Sequence, residues 1–198
     1  MRAKKKPINK GWLPPNKVFQ LKVTLEDTHP PVWRRVVIPG NYTLRLLHDV
    51  IQITMGWEDN HMHSFQIDGV NYKGKGAFES DDMRKESENS TLLRDVIHQP
   101  NQEFHYEYDF GDSWGHEILV EEILPFQPPG RYPVCLVGAR ACPPEDCGGI
   151  PGYYEILEAL KKPKKNEDYS ELLEWVGEGY DPEHFDLEAV NRQLKGMR

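Results

Sequence analysis

Val18-Phe-Gln-Leu-Lys-Val-Thr-Leu-Glu26 alternates strictly, with Phe19, Leu21, Val23 and Leu25 on one side and Gln20, Lys22 and Thr24 on the other. A period of two is that of a strand with one face on a core and the other toward water. Asp27-Thr-His-Pro-Pro31 interrupts the run, and Val32 to Ile38 reads as a second strand, antiparallel to the first across that loop. Pro39-Gly40-Asn41 closes it. Thr43 then offers a helix-capping hydroxyl, Leu44, Leu47, Ile51 and Met55 recur at helical spacing, and Gly56 suits a left-handed stop. This helix is expected to lie across the sheet.

Further along, His61 to Asp68 reads as a strand with His61, His63, Phe65 and Ile67 on one face, and Asp68-Gly69 as a hairpin turn into Val70 to Tyr72. Lys73 to Ser90 reads as a mobile loop, and Thr91 to Ile97 as a short helical turn. Phe104, Tyr106, Tyr108 and Phe110 alternate with His105, Glu107 and Asp109, and Gly115 to Ile123 returns as the partner strand. Pro125 to Pro133 is expected to be irregular, leading past Cys135 to a Cys-Pro-Pro-Glu-Asp-Cys loop. Helices follow at Pro151 to Leu160, Asp168 to Val176 and Asp186 to Leu194. The fold class is α+β: a mixed, largely antiparallel sheet with a crossing helix, in the element order of β-grasp folds, and a C-terminal helical extension. The expected organisation is a basic, disordered arm over residues 1–17 and one domain over 18–198. Within that domain, 18–124 form the sheet-and-helix core and 125–198 the Pro-rich loop and helices.

The 198 residues, 38% of them apolar, suffice for a core. No run approaches the eighteen or so apolar residues of a membrane span, so no membrane partner is expected. An odd number of cysteines, three, builds no disulfide framework and fits a reducing, cytoplasmic setting. Net charge is −8, yet residues 1–17 hold six Lys/Arg and no acid, so the body is more acidic than the total. Such a body repels phosphate backbones; nucleic acid could be met only through the basic arm or Lys161-Lys-Pro-Lys-Lys165.

Two stretches gather groups able to bind metal or move protons. Tyr106-Glu-Tyr-Asp-Phe-Gly-Asp-Ser-Trp-Gly-His116 carries Asp109, Asp112, Trp114 and His116, and Cys142-Pro-Pro-Glu-Asp-Cys-Gly-Gly149 carries Glu145 and Asp146 between two thiols. If the two meet, with His61, they wall one candidate pocket. Cys142 and Cys147, with His116, are the candidate metal ligands, and zinc the metal their spacing suggests, although zinc needs about four donors. Each residue also has an architectural reading: turn aspartates accept backbone N–H groups, Trp114 can plug a core, and His48 suits a satisfied core histidine. Ser113 sits in no nucleophile elbow, and Gly148-Gly149 opens no Walker loop.

Pro31-Val-Trp-Arg-Arg35, Gly56-Trp57 with His61, Tyr108 to Trp114 with His116, the Cys142 to Gly149 loop and Gly152-Tyr153 together resemble the plasmid pRiA4b open-reading-frame-three-like family. Members are sometimes labelled TnpR-type transposon-passenger proteins or resolvases. The resemblance implies no catalytic residue or cofactor. It marks Trp33, Arg34, Trp57, His61, Asp109, Gly111, Asp112, Trp114, His116, Cys142, Glu145, Asp146, Cys147, Gly148 and Gly149 as motif positions. A serine recombinase would need an arginine-rich serine site and a helix-turn-helix, and this sequence displays neither.

Three functions are therefore open. The first is a non-enzymatic binding or adaptor domain for a protein or small ligand. The second is a metal-dependent hydrolase or nuclease using the His/Asp/Cys cluster, and the third a mobile-element DNA-associated factor acting through the basic arm.

Overall fold

The computed structural model describes residues 16–73, 85–127, 130–161, 169–177 and 179–197. Along the chain run β1 (Lys17–Leu25), β2 (Trp33–Pro39), α1 (Leu44–Met55), β3 (His63–Ile67), β4 (Val70–Lys73), β5 (Lys85–Ser87), α2 (Leu93–Val96) and β6 (Glu103–Tyr108). β7 (Trp114–Pro125), β8 (Val134–Ala139), α3 (Gly149–Lys161), α4 (Ser170–Val176) and α5 (Leu187–Leu194) complete the order. The fold is α+β. Among the described residues the strands form one sheet of eight, ordered β5-β4-β3-β6-β7-β1-β2-β8, antiparallel except at β4–β5. Most of the basic arm and Lys162 to Lys165 lie outside the described residues.

The alternation in β1 becomes burial: Phe19, Leu21, Val23 and Leu25 are all at most 1% exposed. Cross-strand register then sets rows on the same face. Phe65, Tyr106, His116 and Leu25 are consecutive partners across β3, β6, β7 and β1, and His63, Tyr108 and Trp114 form the next row. α1 covers this face with Leu44, Leu47, His48, Val50 and Ile51. Thr43 Oγ1 accepts from Leu46 N–H at 3.3 Å, and Gly56, at φ +99°, returns its N–H to Gln52 O, as the capping residues predict.

The sequence reading needs correction in three places. β3 starts at His63, not His61: Asp59 turns the chain in the left-handed region, and the ladder begins at the His63–Tyr108 pair. The Lys73 to Ser90 run, read as loop, contains β5 and ends near Glu88, which is 1% exposed. Its polar composition gave no sign of burial because a single ionic partner, His63, accounts for it. β8 lies past Pro133, where the sequence carries no strand signal. Leu136 and Val137 stay exposed there, so the strand lacks clean alternation, and pairing with β2 defines it. On the outer side of β8, Asn191 of α5 accepts from Cys135 N–H and donates to Cys135 O, each at 2.9 Å, in the place of a ninth strand.

Two buried histidines make the core acid-sensitive. His48 and His63 stack at 3.5 Å between centroids, 13° from parallel. Tyr106 Oη accepts from Gln52 Nε2, which leaves its own O–H for His48 Nδ1 at 2.8 Å. His48 therefore carries its proton on Nε2 and donates to Asp59 Oδ1 at 2.7 Å. Burial, reinforced by the adjacent His63, pushes the His48 pKa down to about 3. His116 is fully buried, neither ring nitrogen has a well-aligned hydrogen bond among the described residues, and burial likewise holds its pKa at about 3. Folding thus depresses both values below the usual ~6.5, so the unfolded chain takes up these protons first. Stability is complete above about pH 6.5 and is lost as pH falls toward 3, by up to about 1.4 kcal/mol per pH unit for each histidine. Urea midpoints measured from pH 7 to 5 should fall along this slope. His116→Leu should remain within about 1 kcal/mol of the parent at pH 7, because it removes an unsatisfied polar ring, and should fall less steeply below pH 6. An unaltered slope in His116→Leu would refute this assignment.

Candidate functional site

The β6–β7 hairpin tip is shaped by its own aspartate. Asp109, at φ +57°, accepts Gly111 N–H on Oδ1 at 2.9 Å and Ser113 N–H on its carbonyl at 2.6 Å. This Asx-type turn closes the tip and, among the described residues, leaves Oδ2 without a hydrogen bond. The Cys142–Gly149 loop folds back onto this tip: Gly148 N–H donates to Asp112 Oδ2 at 3.1 Å. Gly149, at φ +68°, packs so closely that a Cβ would stand 2.6 Å from Asp112 O. Trp57 Nε1 donates to Pro143 O at 3.1 Å and ties the same loop to the end of α1.

His61, Asp109, Glu145 and Asp146 converge at this junction. His61 Nε2 is 3.2 Å from both Glu145 Oε2 and Asp146 Oδ1, and Nδ1 is 3.7 Å from Asp109 Oδ2. The carboxylate oxygens are close, yet Nε2 has no aligned hydrogen bond and no solvent contact. Glu145 is oriented by donors: Glu58 N–H reaches Oε1 at 2.8 Å and Tyr108 O–H reaches it at 3.0 Å. Burial and the neighbouring Glu145 raise the Tyr108 pKa, keeping the phenol a donor. Asn60 N–H in turn donates to Tyr108 Oη at 3.1 Å.

Other sequence candidates lie elsewhere. Trp114 is a core residue, 1% exposed, and its ring packs 5.9 Å from that of Trp57. His116 lies edge-on to Trp57 at 5.2 Å and faces the hydrophobic core. Asp112 joins the two loops through Gly148 but is not among the donors around His61. Cys142 is buried, and burial raises its thiol; burial, then Asp112, pushes Cys147 up to about 12. Among the described residues no three-donor set includes Cys142, Cys147 or His116. The expectation that His61 and His63 share a face also fails, because His63 turns to Glu88 at 2.7 Å.

Sequence reasoning gave Tyr108 no role at the site and missed the His48–His63 pair. Tyr108 alternates as a core residue, so its hydroxyl gave no signal. His48, Asp59 and His63 also bring donor atoms together, but nearly parallel rings aim their nitrogens side by side, and both His48 nitrogens are engaged.

Beside the junction runs a groove of about 480 Å³ between the end of α1, residues 141–145 and the C-terminal helical segment. Met55, Trp57, Pro143, Tyr180, Phe185 and Val190 supply its apolar walls, and Glu58 and Glu145 line it as well. Arg34 reaches it too, but its guanidinium is occupied by the carbonyls of Trp33, Thr54, Ala139 and Arg140.

The sequence profile of the plasmid pRiA4b ORF-3-like proteins matches residues 17–189, which takes in β1, both loops and the first turn of α5. The chain belongs to that family. A relative described as uncharacterised protein y4hQ, from Sinorhizobium fredii (strain NBRC 101917 / NGR234), is 38% identical over 181 residues, covering 91% of this chain and 92% of the relative. The crystal structure of a protein of unknown function, MM3350 from Methanosarcina mazei Go1, is similar with a TM-score of 0.79 and 37% identity, covering 88% of this chain and 96% of that one. In this member of the pRiA4b ORF-3-like family the motif residues divide by task. Arg34, Trp57, Trp114, His116, Cys142 and Gly149 build the frame, while His61, Asp109, Glu145 and Asp146 gather at the junction. Trp33, on the outer face, lies under Lys22 and Arg35. No helix among the described residues is long and apolar enough to cross a membrane.

Proposed function

We propose that this protein is a non-enzymatic binding domain whose groove takes a short segment of a partner protein, an apolar side chain flanked by a basic one. The carrying observation is that Glu145 lines the apolar groove and also belongs to the carboxylate cluster around His61. A groove of about 480 Å³ is within the size range of ligand pockets, and its aromatic and proline walls lose little freedom when an apolar side chain enters. The one buried cation lining it, Arg34, is committed to four backbone carbonyls. Glu58 and Glu145, with Asp186 at the start of α5, are thus the negative charges lining the groove, and they favour Lys or Arg beside the apolar anchor.

Selection from a random peptide library on the immobilised protein should enrich Leu, Met or Phe next to Lys or Arg. Ala189→Trp, which fills the groove, is expected to weaken the selected peptides at least tenfold without lowering the melting temperature. Glu58→Gln should weaken them severalfold and flatten the salt dependence. Equal binding by Ala189→Trp, or no enrichment at all, would sink the proposal.

A further inference from the structure

We infer that His61, Asp109 and Asp146, with Glu145 beside them, form a binding site for one divalent cation of the first transition row. The inference requires no groove ligand, although Glu145 stands beside this site and also lines the groove. One donor atom from each of His61, Asp109 and Asp146 lies within 4.8 Å of the other two, and Glu145 Oε2 lies 3.2 Å from His61 Nε2. Donors held about 2.1 Å from a common ion are roughly 3.0–3.4 Å apart at octahedral or tetrahedral angles. The two 3.2 Å separations around His61 Nε2 already have that spacing.

Hydrogen bonding alone does not explain the arrangement. His61 Nε2 is enclosed, yet it is aligned with neither carboxylate, so a buried polar atom is left unmatched among negative oxygens. Asp109 is 8% exposed, and among the described residues its Oδ2 has no hydrogen bond either. Without a counter-charge, the Asp109 and Asp146 carboxylates repel one another with Glu145 adding to the negative field beside His61, and one imidazolium could balance only part of that charge. A dication would satisfy the nitrogen and the oxygens together.

The outer contacts are those of a prepared ligand shell. Gly111 N–H holds Asp109 through Oδ1 and leaves Oδ2 directed at His61; Glu58 N–H holds Glu145 through Oε1, and Tyr108 O–H reaches both of its oxygens. Donors on the non-ligating oxygen fix carboxylate orientation in metal sites. Asp146, 72% exposed, is the outermost ligand and leaves the ion open to water. One imidazole and two carboxylates, with a third carboxylate beside them, make a mixed nitrogen and oxygen set without sulfur. It should bind Mn²⁺, Co²⁺ and Zn²⁺ in rising order, with Mg²⁺ and Ca²⁺ weaker for want of a hard-oxygen cage.

The test is titration of chelator-stripped, full-length protein with Mn²⁺, following the free-ion electron paramagnetic resonance signal. One Mn²⁺ per chain is expected, displaced by Co²⁺ and more readily by Zn²⁺. Asp146→Asn should weaken Mn²⁺ binding at least tenfold. The exposure of this residue, and the tolerance of Asn for its positive φ, protect the fold. His61→Gln should weaken binding as much without changing net charge. Glu117→Gln, also on an exposed residue but on the opposite sheet face from His116, removes the same charge as Asp146→Asn and should leave binding unchanged. Ala189→Trp should bind Mn²⁺ like the parent even though it fills the groove, so the two proposals fail separately. No saturable uptake, or equal losses in Glu117→Gln and Asp146→Asn, would mean only diffuse attraction to an acidic surface and would overturn the assignment.

Discussion

Arg34→Met is expected to lower the unfolding free energy by about 3–5 kcal/mol, a large share of the roughly 5–15 kcal/mol available to a domain. Arg34 is 1% exposed, and its guanidinium donates to Thr54 O at 2.6 Å, Trp33 O at 2.9 Å, and Ala139 O and Arg140 O at 2.8 Å. These carbonyls belong to the end of α1, to β2, and to β8 and the residue that follows it. The ring of Phe185 closes over the cation at 4.1 Å. One side chain therefore joins the helix, the sheet edge and the segment leading into α5. Methionine keeps the bulk and leaves four buried acceptors unmet, each of which costs more than an ordinary hydrogen bond contributes. Arg34→Lys decides between charge and shape, since a point-charge ammonium cannot serve four acceptors in a planar fork. It should recover less than half of the loss, read as a shift in urea midpoint at constant m-value. A lysine variant within about 1 kcal/mol of the parent would show that charge alone suffices.

Gly152→Ala should be at least as damaging, with a loss of about 3 kcal/mol or more, or failure to accumulate as folded protein. An added Cβ would occupy the position of the Cys147 carbonyl oxygen, a backbone atom with no flexible end to swing away. The first turn of α3 would have to separate from the Cys142–Gly149 loop, and that loop carries Glu145 and Asp146. Mn²⁺ binding should therefore fall together with stability. Gly179→Ala is the control, because a Cβ there meets nothing within 4 Å, and its effect should be neutral or slightly stabilising. Equal losses for the two substitutions, measured by thermal and urea unfolding, would remove the steric argument.

Much of the fold could be read from the chain because its signals are local. The alternation of Phe19, Leu21, Val23 and Leu25, the Thr43 and Gly56 caps and the Asp68-Gly69 turn each act within a few residues, and each has the expected structure. β5 and β8 were illegible because their partners, not their side chains, define them. The candidate site was partly legible: turn chemistry singled out Asp109, Glu145 and Asp146. The displacement of His61 from β3 depends on the left-handed turn at Asp59 and the backbone pairing of Asp109 N–H with Met62 O, which no periodicity encodes. His116 and Cys142 have residue types that suit a site, but burial decided their role, and burial is a property of the assembled sheet.

The amide of Asn191 also has a bearing on how copies of the chain behave toward one another. It occupies the bonding partners of Cys135 that a neighbouring polypeptide would otherwise seek, and Leu136 and Val137 stand exposed next to it. Were the last helix to peel away, β8 would become an unguarded, sticky margin on which sheets of separate molecules could zip into fibres. On this edge-strand argument, disruption of α5 is expected to raise light scattering before unfolding is seen.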